Sequence, residues 1–162
     1  MTRVLGIDPG SRITGFGVVE GDARAARYLA SGCIRANGPA LAPRLRTMFE
    51  GIEALRAEFA PDCVAVESVF VRRNVATALK LGQARGAALT AVARAGAPIA
   101  EYPPARIKLA IAGSGRASKE QMQFMVVQRL RLAAAPQADA ADALAAALCH
   151  LVAGTLPVAA SA

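Results

Sequence analysis

The sequence predicts an α/β fold: a mixed five-stranded sheet, an antiparallel meander continued by parallel strands, flanked by helices. Three observations carry this. Three strand-like runs crowd the first 34 residues. Two further short apolar runs then alternate with segments of helical period. The length, 162 residues, suits one domain with a full core.

The elements follow in order. Val4-Leu5-Gly6-Ile7 is a buried strand that ends on the turn residues Asp8-Pro9-Gly10. Gly15 to Val19 and Tyr28 to Ile34 are two more strands, separated by a turn at Gly21-Asp22. Leu41, Leu45, Met48, Phe49, Ile52, Leu55 and Phe59 recur at helical spacing, and Pro61 stops that helix. Cys63 to Val66 is a fourth strand that delivers Glu67. A long Ala- and Leu-rich helix runs from Val75 to Arg94, a fifth strand from Pro98 to Tyr102 and a short helix from Pro104 to Ala112. Gly113-Ser114-Gly115 reads as a flexible link. Ser118 and Gln121 have capping-box spacing and start a helix through Leu130. The last helix runs from Ala138 to about Val152, with Gly154 as its stop. Residues 1–153 are thus expected to form one domain, and 154–162 a mobile tail.

Composition narrows the function classes. The start of the chain carries Arg3 and Asp8 and does not look like a cleaved leader. Ala143 to Ala162 is uncharged but Ala-rich and broken by Gly154 and Pro157, so a buried helix is expected there and no membrane span. Cys33, Cys63 and Cys149 are odd in number and form no C-x-x-C pair, which suits a reducing, cytoplasmic setting with thiols as small core residues. The formal net charge is +7. Residues 68 to 131 hold eleven Lys and Arg against two acids, Glu101 and Glu120. Such a segment suits a polyanionic partner.

Against that basic background the carboxylates stand out. Asp8 and Glu67 each close an apolar strand, where an ionised group costs several kcal/mol, on the order quoted for buried ions, unless paired or metal-bound. Asp139 and Asp142 lie three apart on one helix, projecting roughly 60° from each other. Both are expected in its first turn, where the helix dipole favours anions. Taken singly, Asp139 reads as helix decoration and Asp8 as a turn residue. Taken together, four hard oxygen donors without a His or Cys cluster suit Mg²⁺ or Mn²⁺ and not zinc. A basic surface with an acidic metal site is what phosphodiester hydrolysis needs. The lone His150, late in its helix, reads as structural.

The wording of three segments is more specific. Gly6-Ile7-Asp8-Pro9-Gly10-Ser11-Arg12-Ile13-Thr14-Gly15, Leu79-Lys80-Leu81-Gly82-Gln83-Ala84-Arg85-Gly86 and Pro136-Gln137-Ala138-Asp139-Ala140-Ala141-Asp142-Ala143-Leu144-Ala145 resemble the motifs of the RuvC family of Holliday junction resolvases. Glu67-Ser68-Val69-Phe70 fits the same pattern, and the resemblance spans about Arg3 to Val152. It implies a ribonuclease-H-like fold and a homodimer that binds four-way DNA junctions and works with a RuvA–RuvB branch-migration complex. It implies metal-dependent paired nicks in strands of like polarity, leaving 5′-phosphate and 3′-hydroxyl ends. By this match Asp8, Glu67, Asp139 and Asp142 are the catalytic, metal-binding quartet, and two divalent ions about 4 Å apart straddle the scissile phosphate. Some members carry His where this chain has Asp139. Phe70, Lys108 and Lys119 match DNA-contacting positions; Arg72, Arg73, Lys80 and Arg116 join them as expected DNA contacts. The ring of Phe70 would stack on an unpaired base. The helix bearing Gly82, Ala84 and Gly86 is the expected dimer face.

Three rivals share parts of the pattern. Asp8-Pro9-Gly10-Ser11 with Gly15 also resembles the first phosphate loop of actin-like ATPases, but no second loop follows. A DNA-binding module without catalysis would gain from losing its acids. A different nuclease on the same fold would need another central helix motif.

Overall fold

The computed structural model of the chain describes residues 1–68 and 74–153. Strands β1 (Thr2–Asp8), β2 (Ile13–Gly21) and β3 (Ala26–Arg35) come first, followed by helix α1 (Leu41–Phe59). Then come β4 (Cys63–Glu67), α2 (Val75–Ala93), β5 (Ile99–Tyr102), α3 (Pro104–Ala112), α4 (Lys119–Leu130) and α5 (Ala138–Ala153). The sheet order is β3-β2-β1-β4-β5. β1 to β3 form the antiparallel meander, and β4 and β5 add in parallel. This is the mixed, helix-flanked α/β sheet of the ribonuclease-H-like fold.

Local chemistry explains the turns and ends. The Asp22 carboxylate accepts from the backbone N–H groups of Arg24 and Ala25 at 2.8 and 3.1 Å, closing the β2–β3 turn. Ser118 and Gln121 form the full capping box at the start of α4. Gly113 stops α3 in the left-handed conformation, φ 74°, which a glycine adopts without strain. The strands run further than the apolar runs, because ladder pairing continues through polar residues: Asp8 still pairs with Gly15, and Ile13 with Arg35. β5 begins at Ile99 and not at Pro98. Pro98 has no N–H to give, though its carbonyl accepts from Val64 at 2.9 Å.

The two sheet faces are covered differently. Alternation sends Leu5, Ile7, Val18, Val64 and Val66 toward α1 and α2, where Ile52, Leu55, Ala88 and Val92 complete a core. Val4, Val19 and Ala65 face α3, α4 and α5 in the other core. Asp8 shares the α5 face with Val4 and Gly6, and Glu67 shares it with Ala65. β1, β3 and β4 run in the same direction, so Asp8, Arg35 and Glu67 lie at the same end of the sheet, where those strands finish.

Two expectations need correction. Ala84 is 1% exposed and packs with Ala36 and Met48 inside the same chain, so it is no part of an outer face. Gly82 and Gly86 do face open space. Asp142 lies just beyond the first turn of α5, because that helix begins at Ala138 and its opening turn holds Asp139 as its acid.

Candidate active site

Helix α5 brings Asp139 and Asp142 to the sheet because three strand residues lack side chains. A Cβ on Gly6 would lie 1.9 Å from the Ala143 carbonyl oxygen, and one on Gly15 would lie 2.0 Å from that of Asp139. A Cβ on Gly17 would meet the Leu144 side chain at 2.6 Å. Each distance is far inside van der Waals contact, so α5 rests on β1 and β2 backbone to backbone. Asp8 pairs with Gly15 across the β1–β2 ladder. The glycine that admits the Asp139 backbone is therefore the direct neighbour of Asp8.

Asp8, Glu67 and Asp142 line one cleft of about 360 Å³. Lys108 from α3 and Lys119 from the start of α4 line it too. Pro9, Leu81, Pro104, Ile107, Met122 and Ala145 make the apolar part of the wall. That wall strips water from the carboxylates, and the acids repel one another. Burial, then the charges of Asp142, Asp139 and Glu67, push the Asp8 carboxyl from 3.8 up to about 7, with Lys119 opposing. Burial and Asp142 raise Glu67, against Lys108 and Lys119. Burial raises Asp142, with Lys119 and Lys108 pulling it down and Asp139 pushing it up. Asp139 thus acts on the cleft by its charge from the Gly15 side.

A carboxylate pushed to about 7 by burial first and by three other acids after it marks a site short of positive charge. All the donors are hard oxygens, which fits Mg²⁺ or Mn²⁺. Among the described residues, no three acidic, His or Cys side chains stand close enough to enclose an ion by themselves. The fit is therefore one of charge and donor chemistry, with water and substrate oxygens left to complete a coordination shell.

The other expected site residues divide. Lys108 and Lys119 lie in the cleft. Lys80 is exposed on α2, beside the cleft residue Leu81. Arg116 lines a separate groove with Ser114, Gln121 and Phe124. Phe70, Arg72 and Arg73 lie outside the described residues, as does the 154–162 segment. His150 accepts from or donates to Tyr102 Oη through Nδ1 at 2.7 Å, half-buried at the margin of the core, and burial lowers its pKa. Residue-type reasoning missed the three glycines and the apolar cleft wall. Their signal was present in the Gly15-x-Gly17 alternation, which places both glycines on one strand face.

Comparison with known proteins decides the family. The family model described as "Crossover junction endodeoxyribonuclease RuvC" matches residues 4–150. The chain belongs to the RuvC family. It is 61% identical to the RuvC of Halorhodospira halophila, covering 93% of this chain and 90% of that one. The Tolumonas auensis RuvC is 54% identical over 93% of this chain and 87% of its own length. The solved structure of Thermus thermophilus RuvC in complex with a Holliday junction substrate superposes with a TM-score of 0.90 at 36% identity, covering 95% of each chain. A RuvC family chain of this kind is a nuclease, and among its described residues no helix is long and apolar enough to cross a membrane.

Proposed function

We propose that this protein resolves four-way DNA junctions, nicking two strands of like polarity with the help of a divalent cation. The observation that carries the reading is the shared cleft. Acids from β1, β4 and α5 meet two lysines there, in a chain of the RuvC family. Asp8, Glu67, Asp139 and Asp142 are the residues that would hold Mg²⁺ or Mn²⁺, with two ions as the reading the four donors favour. When bound, the metal supplies a water activated for in-line attack and charge stabilisation for the leaving 3′ oxygen.

The chain's own groups prepare that step. Lys108 and Lys119 face the acids across the cleft and would take the phosphate oxygens flanking the scissile bond. Their charge also favours the ionised acids, as the lowering effects on Glu67 and Asp142 indicate. Ile107, Met122 and Leu81 keep bulk water away from the carboxylates. Phe70, three residues after Glu67 in sequence, is proposed to stack on a base opened at the crossover, worth about 1–3 kcal/mol. Paired nicks need two sites related by a two-fold axis. Val75 and Leu79 are 78% and 63% exposed on α2, and with Gly82 and Gly86 they form the face proposed to meet a second copy. The branch-migration complex is the further partner implied by family resemblance.

The test is direct. Incubation with a synthetic mobile four-way junction and Mg²⁺ or Mn²⁺ should give symmetric nicks in two like strands and ligatable products. Linear duplex should be left intact. Random nicking of duplex at an equal rate would remove junction selectivity from the proposal.

A further inference from the structure

Glu67 closes β4 at a point where the sheet gives out. The last β1–β4 pair is Ile7 with Val66, one residue earlier. On the other side Glu67 still pairs with Tyr102, and the Ser68 N–H donates to the Tyr102 carbonyl at 2.8 Å. The Glu67 carbonyl is taken by a side chain from another layer. Arg85 of α2 donates to it through Nη1 at 2.7 Å. The same guanidinium donates through Nη2 to the Glu101 carboxylate of β5 at 2.5 Å. The Arg85 side chain is 16% exposed and that of Glu101 50%.

We propose that Arg85 is a positioning residue: it fixes the Glu67 backbone at the cleft by bridging the end of β4 to β5. This rests on the reading of Glu67 as a metal-holding residue. A planar guanidinium with two anchored nitrogens cannot turn without breaking one bond, so it holds the carbonyl in direction as well as distance. Lysine offers a single nitrogen on a freely turning stem, so even where its ammonium reaches the carbonyl it does not fix direction as a two-point planar fork does. A solvated surface pair would not need an almost buried arginine, nor a main-chain acceptor on a carboxylate-bearing residue. α2 also carries the exposed Val75, Leu79, Gly82 and Gly86, so Arg85 connects the helix proposed to meet a second copy with the acid at the cleft.

The experiment compares Arg85→Gln, Arg85→Lys, Glu101→Gln and Glu67→Gln in the full chain. Mn²⁺ binding to the free protein is read by electron paramagnetic resonance. Single-turnover junction cleavage is read against Mg²⁺ concentration, junction affinity in Ca²⁺, and melting temperature separately. Arg85→Gln is expected to weaken Mn²⁺ binding and raise half-saturating Mg²⁺ about fivefold or more, on the scale quoted for supporting residues of metal ligands, with junction affinity within about twofold. Arg85→Lys should recover part of the metal affinity. Glu101→Gln keeps the Glu67 contact and should show a smaller shift in the same direction, which preserves the test if Arg85→Gln folds poorly. Unchanged Mn²⁺ binding and Mg²⁺ dependence in Arg85→Lys and Glu101→Gln, with only melting lowered, would overturn the proposal. If Glu67→Gln also cleaves normally, the reading of the cleft itself fails; if Glu67→Gln is inactive while the Arg85 variants behave as wild type, only this inference fails.

Discussion

The two faces of one sheet are built on opposite rules. Toward α1 and α2, β1 presents Leu5 and Ile7, and branched side chains fill the gap to Ile52, Leu55 and Val92. Toward α5, the same strand presents Val4, Gly6 and Asp8, and the helix touches backbone through Gly6, Gly15 and Gly17. The first face holds no carboxylate of the quartet; the second holds Asp8 and Glu67 opposite the helix that carries Asp139 and Asp142. Side-chain packing tolerates small adjustments by rotamer change. Backbone contact does not. The acids are thus placed where the spacing of helix and sheet is set by backbone contact and not by the size of intervening side chains.

The sharpest way to break the comparison is to remove the charges without touching the packing. Asp8→Asn, Glu67→Gln, Asp139→Asn and Asp142→Asn should each lower junction cleavage about a thousandfold or more, the rate equivalent of several kcal/mol of lost metal-derived stabilisation. Junction affinity, measured by gel shift in Ca²⁺, should persist. An Asp8→Asn protein that cleaves at near-native rate would sink the assignment of the quartet.

Single-methyl changes test the faces themselves. Gly15→Ala drives a Cβ into the Asp139 carbonyl, so α5 must move. Overpacking of this kind costs about 1–3 kcal/mol, and Asp139 moves with it, so cleavage should fall about tenfold or more. Ile7→Val on the opposite face removes one methylene and costs about 0.5–1.5 kcal/mol, with cleavage unchanged below the melting range. Chemical denaturation beside cleavage rates separates the cases. Equal effects of the two variants on both measurements would mean that the faces do not differ as described.

This contrast also explains what the sequence made legible. Asp8 and Glu67 could be placed because each ends an apolar strand, and period two then fixes the face they share. The five strands, their meander and the capping box at Ser118 followed from apolar runs and turn chemistry. The glycines were harder to interpret: Gly15 and Gly17 weaken a strand by propensity, and only the position of α5 shows what their missing side chains admit. Ala84 looked like a small residue suited to a dimer face, but alanine spacing on α2 serves the core and the surface alike. Arg85 was hidden for a related reason. Its acceptor is the Glu67 carbonyl, which is present at every residue and leaves no mark in sequence.

The electrostatic difference between the faces appears as a pH dependence. With no divalent ion bound, the folded protein keeps a proton on Asp8 that the unfolded chain releases. Stability should therefore be greatest at low pH within this term and decline as pH rises from about the ordinary Asp value, 3.8, through about 7. The raised Glu67 and Asp142 act in the same direction. In EDTA the melting temperature should be lower at pH 8 than at pH 6. Asp8→Asn should reduce that difference and melt above wild type at pH 8, while Mg²⁺ should stabilise wild type more at pH 8 than at pH 6. A melting temperature that climbs steadily from pH 6 to 8 in EDTA would show that burial and mutual repulsion do not raise these acids in the folded protein.

The smallest effect concerns the two lysines, which sharpen the comparison within the cleft. Lys119 lowers the pKa of Asp8, Glu67 and Asp142, whereas Lys108 acts on Glu67 and Asp142. Lys119→Gln should therefore move the acidic limb of the cleavage pH profile to higher pH, and Lys108→Gln should move it less. Lys119 is exposed and Lys108 half-buried, so solvent and salt screen both couplings. The shifts should be smaller at physiological ionic strength and grow at low salt, because the Debye length lengthens from about 8 Å toward 30 Å. Each substitution should also reduce the salt slope of junction binding by about one, as expected for a lysine that contacts phosphate. The two readouts are independent. A reduced salt slope with an unmoved pH profile would leave the lysines as DNA contacts only, and a moved profile with an unchanged slope would confine them to tuning the acids. Both changes together, larger in the profile for Lys119, would place the same two charges on the substrate and on the carboxylates that cut it.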